Sequence, residues 1–289
     1  VPAGYRASVD RRRFLHALAI GTVGLLSGCS AGQRSQARST AAPSPSAPRP
    51  SSASGSGSAR PVPPQPTPHS PVPIPPPHPG TPTVVSAAPG PTQAIALTID
   101  DGYCADCVGG YVAFVEHAGI PITFSPNAVY RNVWDPYADR LRPLIEAGQV
   151  QIGNHTFNHK SLVSAADATI RSELERNDEW IQQTFGITSR PWLRPPFGYR
   201  NAHTDTVAAS LGYTKIVMWN GSFGDSGLIK PDVLLGEADK YLRAGTVMLG
   251  HANAPTVLGL FDQIRAIMAE RKLQPVTLDT MFGTSRATG

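Results

Sequence analysis

Between Ala94 and Leu278, short apolar runs rich in β-branched residues alternate with amphipathic helical patterns. This alternation restricts the folded part to an α/β architecture built on a parallel sheet, closed or open. The strand-like runs are Ala94–Ile99, Ile122–Ser125, Val150–Gly153, Pro191–Leu193, Thr214–Trp219, Thr246–Leu249 and Pro275–Leu278. Helical patterns cover Val108–Ala118, Tyr137–Ala147, Ala165–Phe185, His203–Leu211, Pro231–Arg243 and Val257–Arg271. In the third, Ile170, Leu174, Ile181 and Phe185 share one face, and Ser164 with Asp167 predicts a capping-box start. In a parallel sheet or barrel the C-terminal strand ends lie on one side. Asp100 and Asp101 follow the first run, His155 the third, Arg194 the fourth and His251 the sixth, so these residues are expected to meet.

The alternation begins only after a break in composition near residue 92. Nineteen of the 29 prolines precede it, and the same stretch holds eight Arg against the single acid Asp10. The first 92 residues therefore carry about +7 and the remainder about −3 of the net +4. A basic excess outside the folded part argues against nucleic acid as a partner. Residues 10–29 read as an export signal: Arg11-Arg12-Arg13-Phe14-Leu15, an apolar run from Ala17 to Leu26, then Ser27-Gly28-Cys29. The run is too short to span a bilayer comfortably. The arginines resemble a twin-arginine signal and Leu26–Cys29 resembles a bacterial lipoprotein box, which implies lipidation of Cys29; an unlipidated Cys29 in an ordinary secretory signal is the alternative. The domain is accordingly expected on the outer face of the cytoplasmic membrane, tethered through Cys29, or secreted if no lipid is added. Residues 30–92, almost without large apolar side chains, read as a disordered linker. As a flexible coil it would span ~40–45 Å. Residues 93–289 then form one domain, expected to act as a monomer.

Two imidazoles and a carboxylate are enough to hold a divalent metal with positions left open for water and substrate. His155 and His159 supply the imidazoles, Asp100 and Asp101 supply one carboxylate for the metal and one to spare, and a spare carboxylate beside a metal is a candidate general base. Each feature alone also has a plainer reading, as a turn, a cap or a surface pair. His117 and His203 have no motif around them and are read as structural.

Four ordered motifs resemble those of the polysaccharide deacetylase family, also called the NodB-homology domain or carbohydrate esterase family 4. They are Thr98-Ile99-Asp100-Asp101, His155-Thr156-Phe157-Asn158-His159, Arg194-Pro195-Pro196-Phe197-Gly198 and Leu249-Gly250-His251. The resemblance covers about residues 93 to 280 and implies a distorted (β/α) barrel. It implies metal ligation by Asp101, His155 and His159, with zinc the usual ion and cobalt or nickel as alternatives. It further implies Asp100 as base, His251 as acid, Arg194 as the holder of Asp100, and the backbone N–H of Phe197 as an oxyanion donor. The implied partner is an acetylated polysaccharide. Trp219, Leu249 and Tyr103 are expected to line the substrate pocket.

The chain departs from the family pattern in two places. Where a Trp-Asp-x-Asp-x-x-Asp-Trp segment is usual, it has Trp219-Asn220-Gly221-Ser222-Phe223-Gly224-Asp225-Ser226, leaving Asp225 alone to tune His251. After Asp100-Asp101-Gly102 it continues Tyr103-Cys104-Ala105-Asp106-Cys107 in place of the usual proline. With Cys29 assigned to lipid, Cys104 and Cys107 are the remaining cysteines of an exported chain and are expected to form a disulfide; a redox pair or half of a second metal site are the alternatives. The function expected is metal-dependent removal of acetyl groups from a carbohydrate, chiefly N-acetyl groups of a wall glycan such as peptidoglycan. A catalytically impaired glycan-binding module, an O-acetyl esterase of the xylan type and an iron(II) oxygenase are the competing readings.

Overall fold

The computed structural model describes residue 74 and residues 76–284. The export segment 1–29, with Cys29, and the linker up to residue 73 lie outside the described residues. In chain order the elements are β1 (Thr83–Val85), β2 (Ala94–Asp101), α1 (Ala105–Ala118), β3 (Ile122–Pro126), α2 (Arg131–Trp134), α3 (Ala138–Glu146), β4 (Val150–Ile152), α4 (Asp167–Phe185), β5 (Trp192–Leu193), α5 (Ala202–Ser210), β6 (Lys215–Val217), β7 (Gly221–Ser222), α6 (Pro231–Tyr241), β8 (Val247–His251), α7 (Phe261–Glu270), β9 (Gln274–Val276) and α8 (Leu278–Phe282).

The strands form two parallel sheets, β4-β3-β2-β8-β7 with β9 also on β2, and β1-β6-β5. Single bridges join the sheets at Asn154↔Leu193 and Ala87↔Thr246. The result is the distorted barrel that the alternation and the motifs predicted, with helices outside.

The pleat of β2 explains how the core is divided. Ile95, Leu97 and Ile99 face outward into the main cluster with Val108, Val112 and Val115 of α1. Ala96, on the opposite face, packs inside the barrel with Trp192, Val217 and Val247. By the two-residue period of a strand, Thr98 and Asp100 belong to that same inward face.

Several expectations are corrected. The β-branched run Thr83-Val84-Val85, inside the stretch read as linker, pairs with Lys215-Ile216-Val217 of β6, because β-branched side chains suit a pleated surface. The strand expected over Thr214–Trp219 is shorter, ending at Val217 as β6 of the small sheet, and the chain then crosses to the large one as β7, which no expected strand covered. At that corner the Asn220 side chain accepts from the Val247 N–H at 2.9 Å, standing in for a ladder bond. Helix α4 begins at Asp167 with Ala166 as its N-cap and no side-chain cap, so the Ser164 capping box does not form. Asp167 lies in its first turn, where a negative charge favours the helix dipole, and meets His203 at 3.0 Å. The last helical pattern breaks into a 3-10 turn at Pro255–Leu260 followed by α7. Leu278, expected at the end of a strand, opens α8.

Candidate functional site

Asp100 and Asp101 are the last two residues of β2 rather than the residues after it. Neighbouring side chains of a strand point to opposite faces, so an adjacent pair cannot serve one site unless the backbone turns between them. Here it turns: Asp101 has φ 65. His155 Nε2 consequently lies 3.4 Å from Asp101 Oδ1 and 3.8 Å from Asp100 Oδ2. Among the described residues five non-glycines have positive φ, and four of them, Asp101, Thr156, His159 and Phe197, belong to this site, so backbone strain is concentrated there. Asn127, Asn154 and Asn177 hold the strained histidine loop. The Asn127 amide donates to the carbonyls of His155 and Thr156, and Asn154 Oδ1 accepts from the Thr156 N–H and from Asn177.

The donor atoms of Asp101, His155 and His159 all lie within 4.8 Å of one another. His155 and His159 each place Nε2 3.4 Å from Asp101 Oδ1. Ligands ~2.1 Å from one ion at tetrahedral angles sit ~3.4 Å apart, so the spacing fits a shared cation. Two further observations agree. Asp101 Oδ1 is buried without a hydrogen-bond partner, while its Oδ2 accepts from Asn253 at 2.8 Å. His155 Nδ1 faces the Arg194 carbonyl at 2.6 Å, which places the Nδ1 proton there and leaves Nε2 free to ligate.

Charge favours a cation at the same point. Burial would raise the Asp101 pKa, but contact with His155, the charges of both histidines and the Asn253 amide hold it well below the usual carboxylate range. Burial pushes His155 down, yet Asp100, Asp101 and the Arg194 carbonyl leave it above its ordinary value. His159, lowered by burial and by His155, stays below its own.

Asp100 is organised differently. Arg194, almost fully buried, donates from Nη1 to Asp100 Oδ2 at 3.0 Å, from Nη2 to Thr98 Oγ1 at 2.8 Å and from Nε to the Val217 carbonyl at 2.8 Å. Asp100 Oδ1 is buried and unpartnered. Across the sheet Asp100 pairs in register with His251, the last residue of β8. His251 Nδ1 lies 3.1 Å from Asp225 Oδ1, and the His251 N–H donates to Asp225 Oδ2 at 3.2 Å. Burial lowers the His251 pKa, but the bond to Asp225 and the charges of Asp100, Asp225 and Asp101 raise it above the ordinary histidine value. The reduced fourth segment thus still brings a carboxylate to His251. Its other expected acidic positions are filled by the structural side chains Asn220 and Ser222, the latter accepting from the Gly224 N–H at 3.0 Å.

The remaining expected residues border this group. Phe197 is exposed, and its ring lies edge-on to His159 at 4.5 Å. Trp219 lies 5.3 Å from the Arg194 guanidinium and presses on Gly198, which leaves no room for a Cβ there. Leu249 is buried two residues before His251. Tyr103 stands on the rim, half exposed. Cys104 and Cys107 are joined, and the bond closes the first turn of α1 rather than a separate loop, with Cys104 as N-cap. His117 bonds only within its own helix, to the Ala113 carbonyl. Sequence reasoning missed Asn253, a polar residue just past a strand end that bridges Asp101 and the Gly102 N–H. It also missed Trp134, whose indole donates to the Asp101 carbonyl.

Fold and site together define a parallel barrel domain with a histidine–carboxylate cluster at the C-terminal strand ends that could hold a metal ion. Residues 87–216 match the polysaccharide deacetylase family. The match includes Asp100, Asp101, both histidines and Arg194 and stops before Asp225 and His251. A chitin deacetylase from Pestalotiopsis sp. is 27% identical over 212 residues, 71% of this chain and 68% of that protein. The Bc1960 peptidoglycan N-acetylglucosamine deacetylase shares the fold at 20% identity with a TM-score of 0.63, over 70% of this chain and 94% of that one. So does BA3943 from Bacillus anthracis, a carbohydrate esterase family 4 pseudoenzyme, at 17% identity and TM-score 0.62, over 70% and 69%. The fold is therefore shared by active and inactive proteins, and the argument for activity rests on the site.

Proposed function

We propose that this domain is a metal-dependent hydrolase that removes acetyl groups from a carbohydrate polymer, with N-acetyl groups of a wall glycan such as peptidoglycan as the substrate. The observation that carries the reading is the juxtaposition of two separately organised parts. One is a cluster with an orphaned carboxylate oxygen facing two free imidazole nitrogens. The other is an Arg194-held carboxylate in register with a carboxylate-backed histidine.

Asp101 Oδ1, His155 Nε2 and His159 Nε2 would hold the ion, in the first place zinc. A divalent ion there supplies acidification of bound water towards ~7 and polarisation of the acetyl carbonyl. Asp100 takes the proton of the water that attacks the acetyl carbon, its orientation set by Arg194. His251, with Nδ1–H on Asp225, gives its Nε2 proton to the departing sugar amine as the carbon–nitrogen bond breaks, releasing acetate. The Phe197 N–H meets the developing oxyanion, and Leu249 with Trp219 borders the acetyl methyl. The export signal and linker add the cellular address: outside the membrane, tethered through Cys29.

The test is acetate release from peptidoglycan, chitooligosaccharides and acetylated xylan after stripping metal and restoring zinc, cobalt or nickel. Release from the N-acetylated polymers that disappears in Asp100→Asn supports the reading. Release from xylan alone makes it an O-acetyl esterase. Glycan binding without release, unchanged in Asp100→Asn, makes it a binding module. Incorporation of labelled fatty acid that is lost in Cys29→Ser tests the tether.

A further inference from the structure

We propose that Tyr103 and Tyr130 form a sugar-stacking subsite beside the metal cluster, held in place by the Cys104–Cys107 disulfide, and that it makes the domain prefer a glycan chain to a single acetylated sugar. The reacting sugar is taken from the deacetylase reading above; the subsite itself rests on the surface geometry.

Among the described residues, the exposed large apolar side chains are unevenly distributed. Six of the eight, Tyr103, Val129, Val163, Phe197, Tyr199 and Leu228, lie on segments that leave the C-terminal ends of strands, the side that carries the Asp101–His155–His159 cluster; Val84 on β1 and Val233 on α6 are the other two. Scattered apolar exposure is ordinary; apolar exposure gathered at the mouth of one site marks a surface that a ligand covers.

Tyr103 is the most constrained of these. The Gly102 N–H before it donates to Asn253 Oδ1, and the Cys104 N–H after it donates to the Ala252 carbonyl, both at 3.3 Å. Gly102 has φ 100 and lies so close to Trp134 that a Cβ would collide with the indole. The disulfide then fastens the next turn. The segment is pinned on both sides of a tyrosine that remains 49% exposed. Packing does not explain such a ring, whereas a pre-organised anchor needs this combination of rigidity and exposure.

The Tyr103 ring lies 5.7 Å from that of Tyr130 at 60°. Tyr130 follows β3, and its neighbour Val129 donates its N–H to the Phe157 carbonyl in the histidine loop. The pair therefore borders both Asp101 and the histidines. A second pair, Phe197 and Tyr199 at 5.7 Å, borders the cluster through His159. Sugars in a chain present C–H faces that cover aromatic rings and leave their hydroxyls to water. With an acetylated sugar at the cluster, the adjoining sugar of the same chain covers Tyr103 and Tyr130.

The measurement uses the zinc-loaded full chain with N-acetylglucosamine and its pentamer, comparing the ratio of their kcat/KM values. Tyr103→Ala is expected to lower the pentamer-to-monomer ratio ~3- to 10-fold. Tyr103→Phe should keep the ratio, because the ring rather than the hydroxyl is used. A dithiol that reduces the Cys104–Cys107 bond to two thiols, itself becoming a disulfide, should lower it partway. Pentamer binding is measured in parallel by calorimetry on Asp100→Asn and on Asp100→Asn with Tyr103→Ala, with circular dichroism as the check on folding. Weaker pentamer binding in the double variant supports the subsite even if no glycan is ever deacetylated, in which case only the deacetylase reading fails. An unchanged ratio and unchanged pentamer affinity in folded Tyr103→Ala protein, or no pentamer binding by either variant, overturns the subsite.

Discussion

Replacing Asp225 by Asn tests how the acid half of the site works. The side chains of His251 and Asp225 are nearly buried, and Oδ1 accepts from Nδ1 at 3.1 Å. A carboxylate this close favours the imidazolium over the neutral ring. A hydrogen bond to a charged group is worth about 1.5–3 kcal/mol. The His251 pKa is raised in the folded protein despite burial, and a general acid works only while protonated. Asn keeps the shape but removes the charge, so the alkaline limb of the rate profile should move to lower pH, with the plateau below it less affected. Metal-reconstituted kcat/KM from pH 5 to 10 on one acetylated oligosaccharide reads this directly. Stability gives a second readout. A raised folded pKa stabilises fully below the unfolded histidine value and loses that contribution as pH rises through the folded one. Wild type should therefore lead the variant most in denaturant midpoint at low pH, with the gap closing as pH rises. A variant whose rate falls equally at every pH, with its alkaline limb unmoved, would refute the charge argument and leave Asp225 as a spacer.

Asp100→Asn should bind zinc as wild type does while kcat falls ~10²–10⁴-fold, measured by chelator competition and acetate release. Arg194→Met strands the buried Asp100 carboxylate and should cost about 3–5 kcal/mol in chemical denaturation, with Asp100→Asn in the same chain recovering much of the loss. Asn253→Ala frees Asp101 Oδ2 and should weaken zinc ~10–100-fold in chelator competition, and because it also strands the Gly102 N–H it should cost about 1–3 kcal/mol in metal-free denaturation.

The barrel and its site were legible in the sequence to different depths. Periodicity revealed the central strands and the long helices because each buries a continuous stripe, as Ile170, Leu174 and Ile181 do on α4. It missed β1 and β7, at three and two residues too short to show a period, and it ran β6 on to Trp219 because Met218 and Trp219 keep the apolar run going up to a corner. The donors were visible as motifs and their meeting was expected from the shared strand ends, but the backbone that lets adjacent residues serve one site was not visible. The bend at Asp101 and the asparagine network beneath Thr156 are tertiary facts, carried by residues such as Asn253 and Asn177 that look ordinary in the chain.

The register of Asp100 against His251 places the two groups proposed to move protons on adjacent strands, separated by one rung of the sheet, ~4.7–4.9 Å between backbones. That interval belongs to the peptide ladder and owes nothing to the segments above it. Exchanging the exposed side chains of Tyr103 or Leu228 should therefore change which molecules are accepted while leaving the intrinsic chemistry of the pair in place. Lengthening or shortening β2 or β8 by one residue below the pair would slip one partner past the other and abolish proton transfer without touching any group that performs it.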